Sequence, residues 1–258
     1  MTSFFEYIGA KATGIFEYIG GITLLFIQTI MWFFRFDIRI KLTIKQMALL
    51  GANSVFIVLI TTFFTGAVVS LQLAELAVRY GLAKFVGGGV AIAMCRELAP
   101  MLTAVVVAGR AGSAITAEIG SMKVTEQIDA LEVMAVSPSK YLVLPRLLAC
   151  FCMFPILALF ADASGVLGGG VIAYILADIT PAIYIDSIKT MLSMHDFWGG
   201  LFKTLFFAVE VALISCYQGL TTKGGAAGVG VATTGSVVYS IIVVFITNYL
   251  LSAAIFSL

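Results

Sequence analysis

Charge is scarce in this sequence. Only 11% of its 258 residues are Asp, Glu, Lys or Arg, against about 25% in ordinary soluble domains. That is too little to coat a water-facing globule of this length, so much of the surface is expected to meet lipid. The charge present is balanced, 15 basic residues against 14 acidic, which points to neither a nucleic-acid partner nor an acidic tail. Histidine is nearly absent: His195 stands alone, leaving no material for a His-based metal cage or a catalytic triad. Cys95, Cys150, Cys152 and Cys216 all lie in apolar stretches and read as small buried hydrophobes rather than disulfides or metal ligands. Cys150 and Cys152 are two apart, which points them to different sides of a helix. The chain opens with Glu6 and Glu17 and lacks a basic region ahead of an apolar run, so no cleavable signal peptide is expected. No G-x-x-x-x-G-K-[ST] occurs, so P-loop hydrolysis of nucleotide is not expected of this chain.

What is abundant is apolar sequence, 61% of residues. A helix crossing a bilayer needs roughly 20 mostly apolar residues. Residues 46–74 and 224–258 qualify without any charge. Residues 85–109 qualify with Arg96 and Glu97 inside, 147–177 with Asp162, and 197–222 with Lys203 and Glu210. The N-terminus reads differently. Phe5-Glu6-Tyr7-Ile8-Gly9 recurs as Phe16-Glu17-Tyr18-Ile19-Gly20, an offset of about three helical turns that puts both copies on nearly one face. Phe5, Ile8, Ala12, Ile15, Phe16 and Ile19 then form an apolar stripe opposite Glu6, Lys11 and Glu17, the pattern of a helix lying in the membrane interface. Residues 21–34 are short for a span and are read as an interfacial elbow, with a sixth span as the competing topology. The expected fold is thus an all-α integral membrane protein: an N-terminal amphipathic region over 1–45, then a domain of five transmembrane helices over 46–258.

Arg35, Arg39, Lys41 and Lys45 precede the first of these spans, with Lys11 upstream. If that side is cytoplasmic, it also receives Lys123, Lys140, Arg146 and Lys223, while the other side holds Arg79, Lys84 and Lys189. The positive-inside rule therefore places the N-terminus in the cytoplasm and the C-terminus outside it. Residues 112–138 become a cytoplasmic loop. Within it Val124, Ile128, Leu131 and Ala135 recur at helical spacing, with Lys123, Glu126, Gln127, Asp129 and Glu132 between them and Ser137-Pro138 as a stop. This predicts an amphipathic helix over about 118–136, either docking a cytoplasmic partner or resting on its own protein.

Ionisable residues inside spans usually face a cavity, a partner or a substrate route. Adjacent residues on a helix are about 100° apart, so Arg96 and Glu97 cannot stack as a pair, and at least one is expected to look toward another helix or a polar ligand. Lys203 either snorkels to a headgroup or faces inward. Asp162 reads as a structural hydrogen-bonded carboxylate. Glycine clusters at 87–89, 165–170 and 224–230 suit close approach of membrane helices.

Several long motifs resemble one family. Arg96-Glu97-Leu98-Ala99-Pro100 and the block from Ala108-Gly109-Arg110 through Glu118-Ile119-Gly120 are similar to the central signature of the MlaE permeases, as are residues 125–131, Met134-Ala135-Val136-Ser137-Pro138, Pro145-Arg146, Asp162 with its glycines, and the stretch 225–234. The resemblance runs from about residue 46 onward. It implies the permease subunit of an ABC transporter in the bacterial inner membrane that moves phospholipids between inner and outer membranes, maintaining lipid asymmetry. The implied partners are a second copy of this chain, a cytoplasmic ABC ATPase (MlaF-like) that binds the ATP and magnesium, a periplasmic ring of MCE protein (MlaD-like) and in some systems a STAS-domain protein (MlaB-like). No cofactor and no catalytic role are implied for the chain itself. The helix near 118–136 would couple to the ATPase through Glu118, Lys123, Glu126, Gln127 and Glu132. Val69, Leu73, Leu76 and Tyr80 would line the acyl-chain pocket, with Arg96, Glu97 and Lys203 near the headgroup. Two rival readings are an ion-coupled secondary transporter using Asp162 or Glu210, and a structural anchor for an MCE assembly.

Overall fold

The computed structural model describes residues 2–35 and 39–256, with side chains described throughout except at 2–12 and 15. Among the described residues the chain is helical and has no strand, as a chain dissolved in lipid must be when every backbone group needs an internal partner. The helices, in order, are α1 (Thr2–Phe34), α2 (Ile40–Arg79), α3 (Ala83–Val124), α4 (Gln127–Val133), α5 (Ser139–Ala177), α6 (Pro181–Met191), α7 (Met194–Leu220) and α8 (Gly225–Phe256). Six of them, α1 through its Phe16–Phe34 portion, are long and apolar enough to cross a membrane.

The five spans expected after residue 46 are all present, and several are longer than their apolar runs. The helix α3 has 42 residues, about 63 Å at 1.5 Å per residue. Its charged end, with Glu118 and Lys123, stays helical beyond any hydrocarbon layer of about 30 Å. The N-terminal helix is also longer than expected. It runs unbroken through Gly20 and Gly21 to Phe34, so residues 21–34 continue the N-terminal helix, and its Phe16–Phe34 portion is long and apolar enough to cross a membrane. Most of the stripe proposed for its first turns (Phe5, Ile8, Ala12 and Ile15, with Glu6 and Lys11) lies outside the described side chains.

The predicted single helix over 118–136 is two helices. The last turns of α3 run to Val124, Glu126 then takes a left-handed backbone conformation (φ 59°), and α4 begins afresh at Gln127. A second left-handed residue, Ala135 (φ 58°), ends the segment. The apolar spacing was real, since Ile128 is buried, but the register restarts at the bend. The short helix α6 was not expected. Its Pro181 sits in the first turn, where the missing N–H is harmless. It caps the start of α3: Ser187 Oγ accepts from the backbone N–H of Gly88 at 2.9 Å, and Tyr184 Oη donates to the Val166 carbonyl of α5 at 3.0 Å. Burial pushes the Tyr184 phenol above its ordinary pKa, so the donor persists.

Two π-helical turns, Met94–Leu98 and Ala108–Gly112, interrupt α3, a third, Met47–Gly51, interrupts α2, and a fourth, Ser139–Val143, opens α5. Arg110 links the α3 turn at Ala108–Gly112 to the α2 turn, donating to the Leu49 carbonyl at 3.5 Å and to Ser54 Oγ just beyond it at 3.0 Å. Such turns leave backbone groups out of regular register and often mark functional sites.

Candidate functional site

The first π turn of α3 builds the main polar site. Pro100 follows it and has no N–H to offer the carbonyl four residues back. That carbonyl belongs to Arg96, and Lys203 from α7 fills the place, donating from Nζ at 2.7 Å. The same ammonium reaches Glu97 Oε1 at 2.9 Å, Ser252 Oγ at 2.6 Å and Asn248 Oδ1 at 3.3 Å. Asn248 Nδ2 donates to Glu97 Oε2 at 2.9 Å, and Ser252 Oγ is 2.7 Å from Glu97 Oε1. Lys203 is fully buried while the Glu97 side chain is 37% exposed. Lys203 therefore does not snorkel. It is the inner member of an ion pair whose carboxylate faces outward.

Arg96 points a different way, as the 100° step requires. Its Nε and Nη2 meet Asp196 Oδ1 at 2.7 and 2.6 Å. Asp196 is itself fixed by a capping box: Ser193 Oγ accepts from its backbone N–H at 3.2 Å, and its Oδ2 accepts from the Ser193 N–H at 3.0 Å. The Phe256 ring lies under both cations, 4.7 Å from Arg96 Cζ and 5.2 Å from Lys203 Nζ. Helices α3, α7 and α8 thus converge on two linked ion pairs. Close approach depends on Gly200, where any Cβ would strike the Cys95 carbonyl. Lys203 lies nine residues into α7, about 14 Å along the helix, so the site is inside the apolar layer near the α6 end of the bundle.

Three expected lipid-site residues, Arg96, Glu97 and Lys203, are therefore brought together. The other four lie elsewhere on the chain. Leu73, Leu76 and Tyr80 line a separate cleft of about 230 Å³ against Phe85, Val86 and Gly89, and Val69 packs partly buried against the core. Asp196, Ser193, Asn248, Ser252 and Phe256 were missed. Ser193-x-x-Asp196 ahead of an apolar run was a legible capping signature, and Asn248 is the lone amide in an uncharged span. Asp162 is a hydrogen-bonded carboxylate, as expected, with the Cys95 thiol as its partner. It is buried in α5 facing Cys95, and its Oδ1 has no partner among the described residues. The cysteines are free, with Cys150 buried and Cys152 exposed.

At the opposite, α4 end, the five residues expected to couple divide. Glu118 Oε2 accepts from Arg146 Nη2 at 2.6 Å, and Lys123 pairs with Asp129 at 2.7 Å. Glu126, Gln127 and Glu132 are exposed. Beside them, unforeseen, Val133 and Met134 are 89% and 64% exposed. Glu118 holds a buried cation, the Arg146 side chain being 4% exposed. Glu118→Ala is therefore expected to destabilise the chain by about 1–3 kcal/mol, since it strands a buried donor, while Glu132→Ala stays within about 0.5 kcal/mol. Thermal unfolding in detergent checks both.

The described residues contain no cluster of His, Cys, Asp or Glu that could hold a metal. The arrangement suits binding and movement of an amphiphile.

Comparison with known proteins places this architecture. The profile of the family described as Permease MlaE matches residues 43–254. A probable ABC transporter permease of Synechocystis is 46% identical over 214 residues, covering 83% of this chain and 81% of that protein. Another from Pyropia yezoensis is 41% identical over 239 residues, 90% of each. The chloroplastic protein trigalactosyldiacylglycerol 1 of Arabidopsis thaliana is 35% identical over 229 residues, 89% of this chain and 65% of that one. Together with helices long enough to cross a membrane several times, these matches show that the chain belongs to the MlaE permease family, as a multi-pass ABC transporter permease.

Proposed function

We propose that this permease moves phospholipids between the inner and outer membranes, driven by a separate cytoplasmic ATPase and delivering to or receiving from a periplasmic MCE ring. The observation that carries this reading is the pair of linked ion pairs inside the apolar layer. A phosphate favours a guanidinium, and Arg96, 37% exposed in its side chain, keeps an open side beside the outward-facing Glu97. The cleft at Leu73, Leu76 and Tyr80 offers the apolar wall that acyl chains need. In a homodimer the two regions can be brought together across the axis. A relative named for a galactolipid, trigalactosyldiacylglycerol 1, agrees with a lipid cargo.

The α4 end is assigned to the cytoplasm of a bacterial inner membrane, where the basic residues gather, and the C-terminus to the periplasm. There α4, with Glu126, Gln127 and Glu132 around the bare Val133 and Met134, is the surface offered to the ATPase, which holds the ATP and magnesium. Closure of the ATPases would tilt α4 and the end of α3, and α3 carries Arg96 and Glu97 at its other end. A STAS-domain protein would bind the ATPase side. No residue of this chain makes or breaks a covalent bond.

The test is purification in mild detergent with mass spectrometry of what accompanies the chain. A P-loop ATPase, an MCE protein and bound phospholipid, with two copies of this chain, are expected. The double change Val133→Glu, Met134→Glu is expected to cut ATPase recovery about tenfold or more while leaving the exposed-site variant folded. A stable particle without ATPase would overturn the proposal.

A further inference from the structure

Glu210 is a span carboxyl that the ion-pair cluster leaves unused. Thr247 Oγ1 donates to its Oε1 at 2.7 Å, while Oε2 is enclosed and has no hydrogen-bond partner among the described residues. An acceptor in an apolar setting is unfavourable until a donor arrives. Glu210 also lines a cleft of about 720 Å³ between α1, α7 and α8 whose wall is otherwise almost wholly apolar.

The shape and charge of this cleft narrow its occupant. Tyr18 from α1 and Tyr239 from α8 both line it, and their ring centroids are 5.2 Å apart. Gln218 Nε2 donates to Tyr18 Oη at 3.1 Å and holds that junction. These rings narrow the cleft between α1 and α8. The volume lies within the roughly 300–1,000 Å³ of small-molecule sites. Among the described residues no Lys, Arg or His lines it, so a phosphate there would face a carboxyl and no described cation. What fits is an aliphatic body ending in one uncharged hydrogen-bond donor, which reaches a Glu210 oxygen by a turn of its terminal torsion that Thr247 must follow.

We propose that this cleft is a second lipid site, separate from the Arg96–Lys203 cluster, which takes an uncharged amphiphile whose hydroxyl donates to Glu210. The site stands independently of the phospholipid reading. The probe is a diazirine-bearing hexadecanol, photolysed with the purified transporter in phosphatidylcholine nanodiscs and mapped by peptide mass spectrometry. Labelling is expected around Leu213 and Ile242, to be reduced about tenfold by Glu210→Leu and largely retained in Glu210→Gln, which keeps an acceptor. Unlabelled hexadecanol should compete, and hexadecyl phosphate should not. Ile242→Trp, which fills the cleft and leaves Glu210 in place, should also abolish labelling and serves if Glu210→Leu does not fold. Equal labelling of Glu210→Leu, competition by hexadecyl phosphate, or a cross-link from a photoreactive residue at 242 to another polypeptide would each overturn the proposal.

Discussion

Lys203→Met is expected to destabilise the chain by about 3–5 kcal/mol, the range for removing one partner of a buried ion pair. Against the roughly 5–15 kcal/mol of a typical fold, that is a large share of the total. The side chain is fully buried, and Met matches its length, so packing survives and the loss is electrostatic. Glu97 would keep Asn248 and Ser252 but lose its cation, and the Arg96 carbonyl would lose its Lys203 donor where Pro100 cannot supply the regular one. An uncompensated carboxylate and a carbonyl short of its donor leave the polar network half satisfied. The double change Lys203→Met, Glu97→Gln should recover much of the loss, since it removes the uncompensated charge. Thermal or denaturant unfolding in detergent, run as a double-mutant cycle, checks this. A single-variant loss under 1 kcal/mol would mean that the ion pair does not hold these helices together. Transport should fail in both variants if the cluster also serves lipid.

The helical membrane architecture was legible because lipid imposes it. Apolar runs near 20 residues have few other uses, and the charges that interrupt them had to find partners. Sequence alone could say that Arg96 and Glu97 diverge, and they do, toward α7's Asp196 and Lys203 respectively. It could not say which helix each would meet, because partner choice is set by packing of α3, α7 and α8 at Gly200, a contact 100 residues away in the chain. The bend at Glu126 was invisible for a related reason. The apolar spacing across Val124 and Ile128 fits one helix, and only the fold required a left-handed residue there. The unbroken α1 was missed because residues 21–34, counted alone, are short for a span; the helix runs into them through Gly20 and Gly21. Glycine lowers helix stability by about 1 kcal/mol, a cost that a hydrogen-bonded helix in lipid can absorb.

Gly168→Leu is the other change expected to be severe. Helices α2 and α5 touch backbone to backbone at two places: a Cβ at Gly66 would run into the Gly165 carbonyl, and one at Gly168 into the Phe63 carbonyl. Between membrane helices there is little hydrophobic driving force, so such close packing is itself the source of association. A leucine at 168 meets rigid backbone rather than a side chain that could swing away, which puts its cost at or above the upper end of the roughly 1–3 kcal/mol for overpacking. The damage would spread. Gly165, one turn earlier, seats the side chain of Met94, the first residue of the π turn that presents Arg96 and Glu97. Separating α2 from α5 therefore loosens the floor of the polar site as well. Gly109→Ala provides the contrast: no atom lies within 4 Å of its would-be Cβ, so the change should be neutral or stabilising by up to about 1 kcal/mol. Unfolding measurements on the two variants test the pair. If Gly168→Leu matched Gly109→Ala, the α2–α5 contact would not be a determinant of the fold, and the link from that contact through Met94 to Arg96 and Glu97 would go with it.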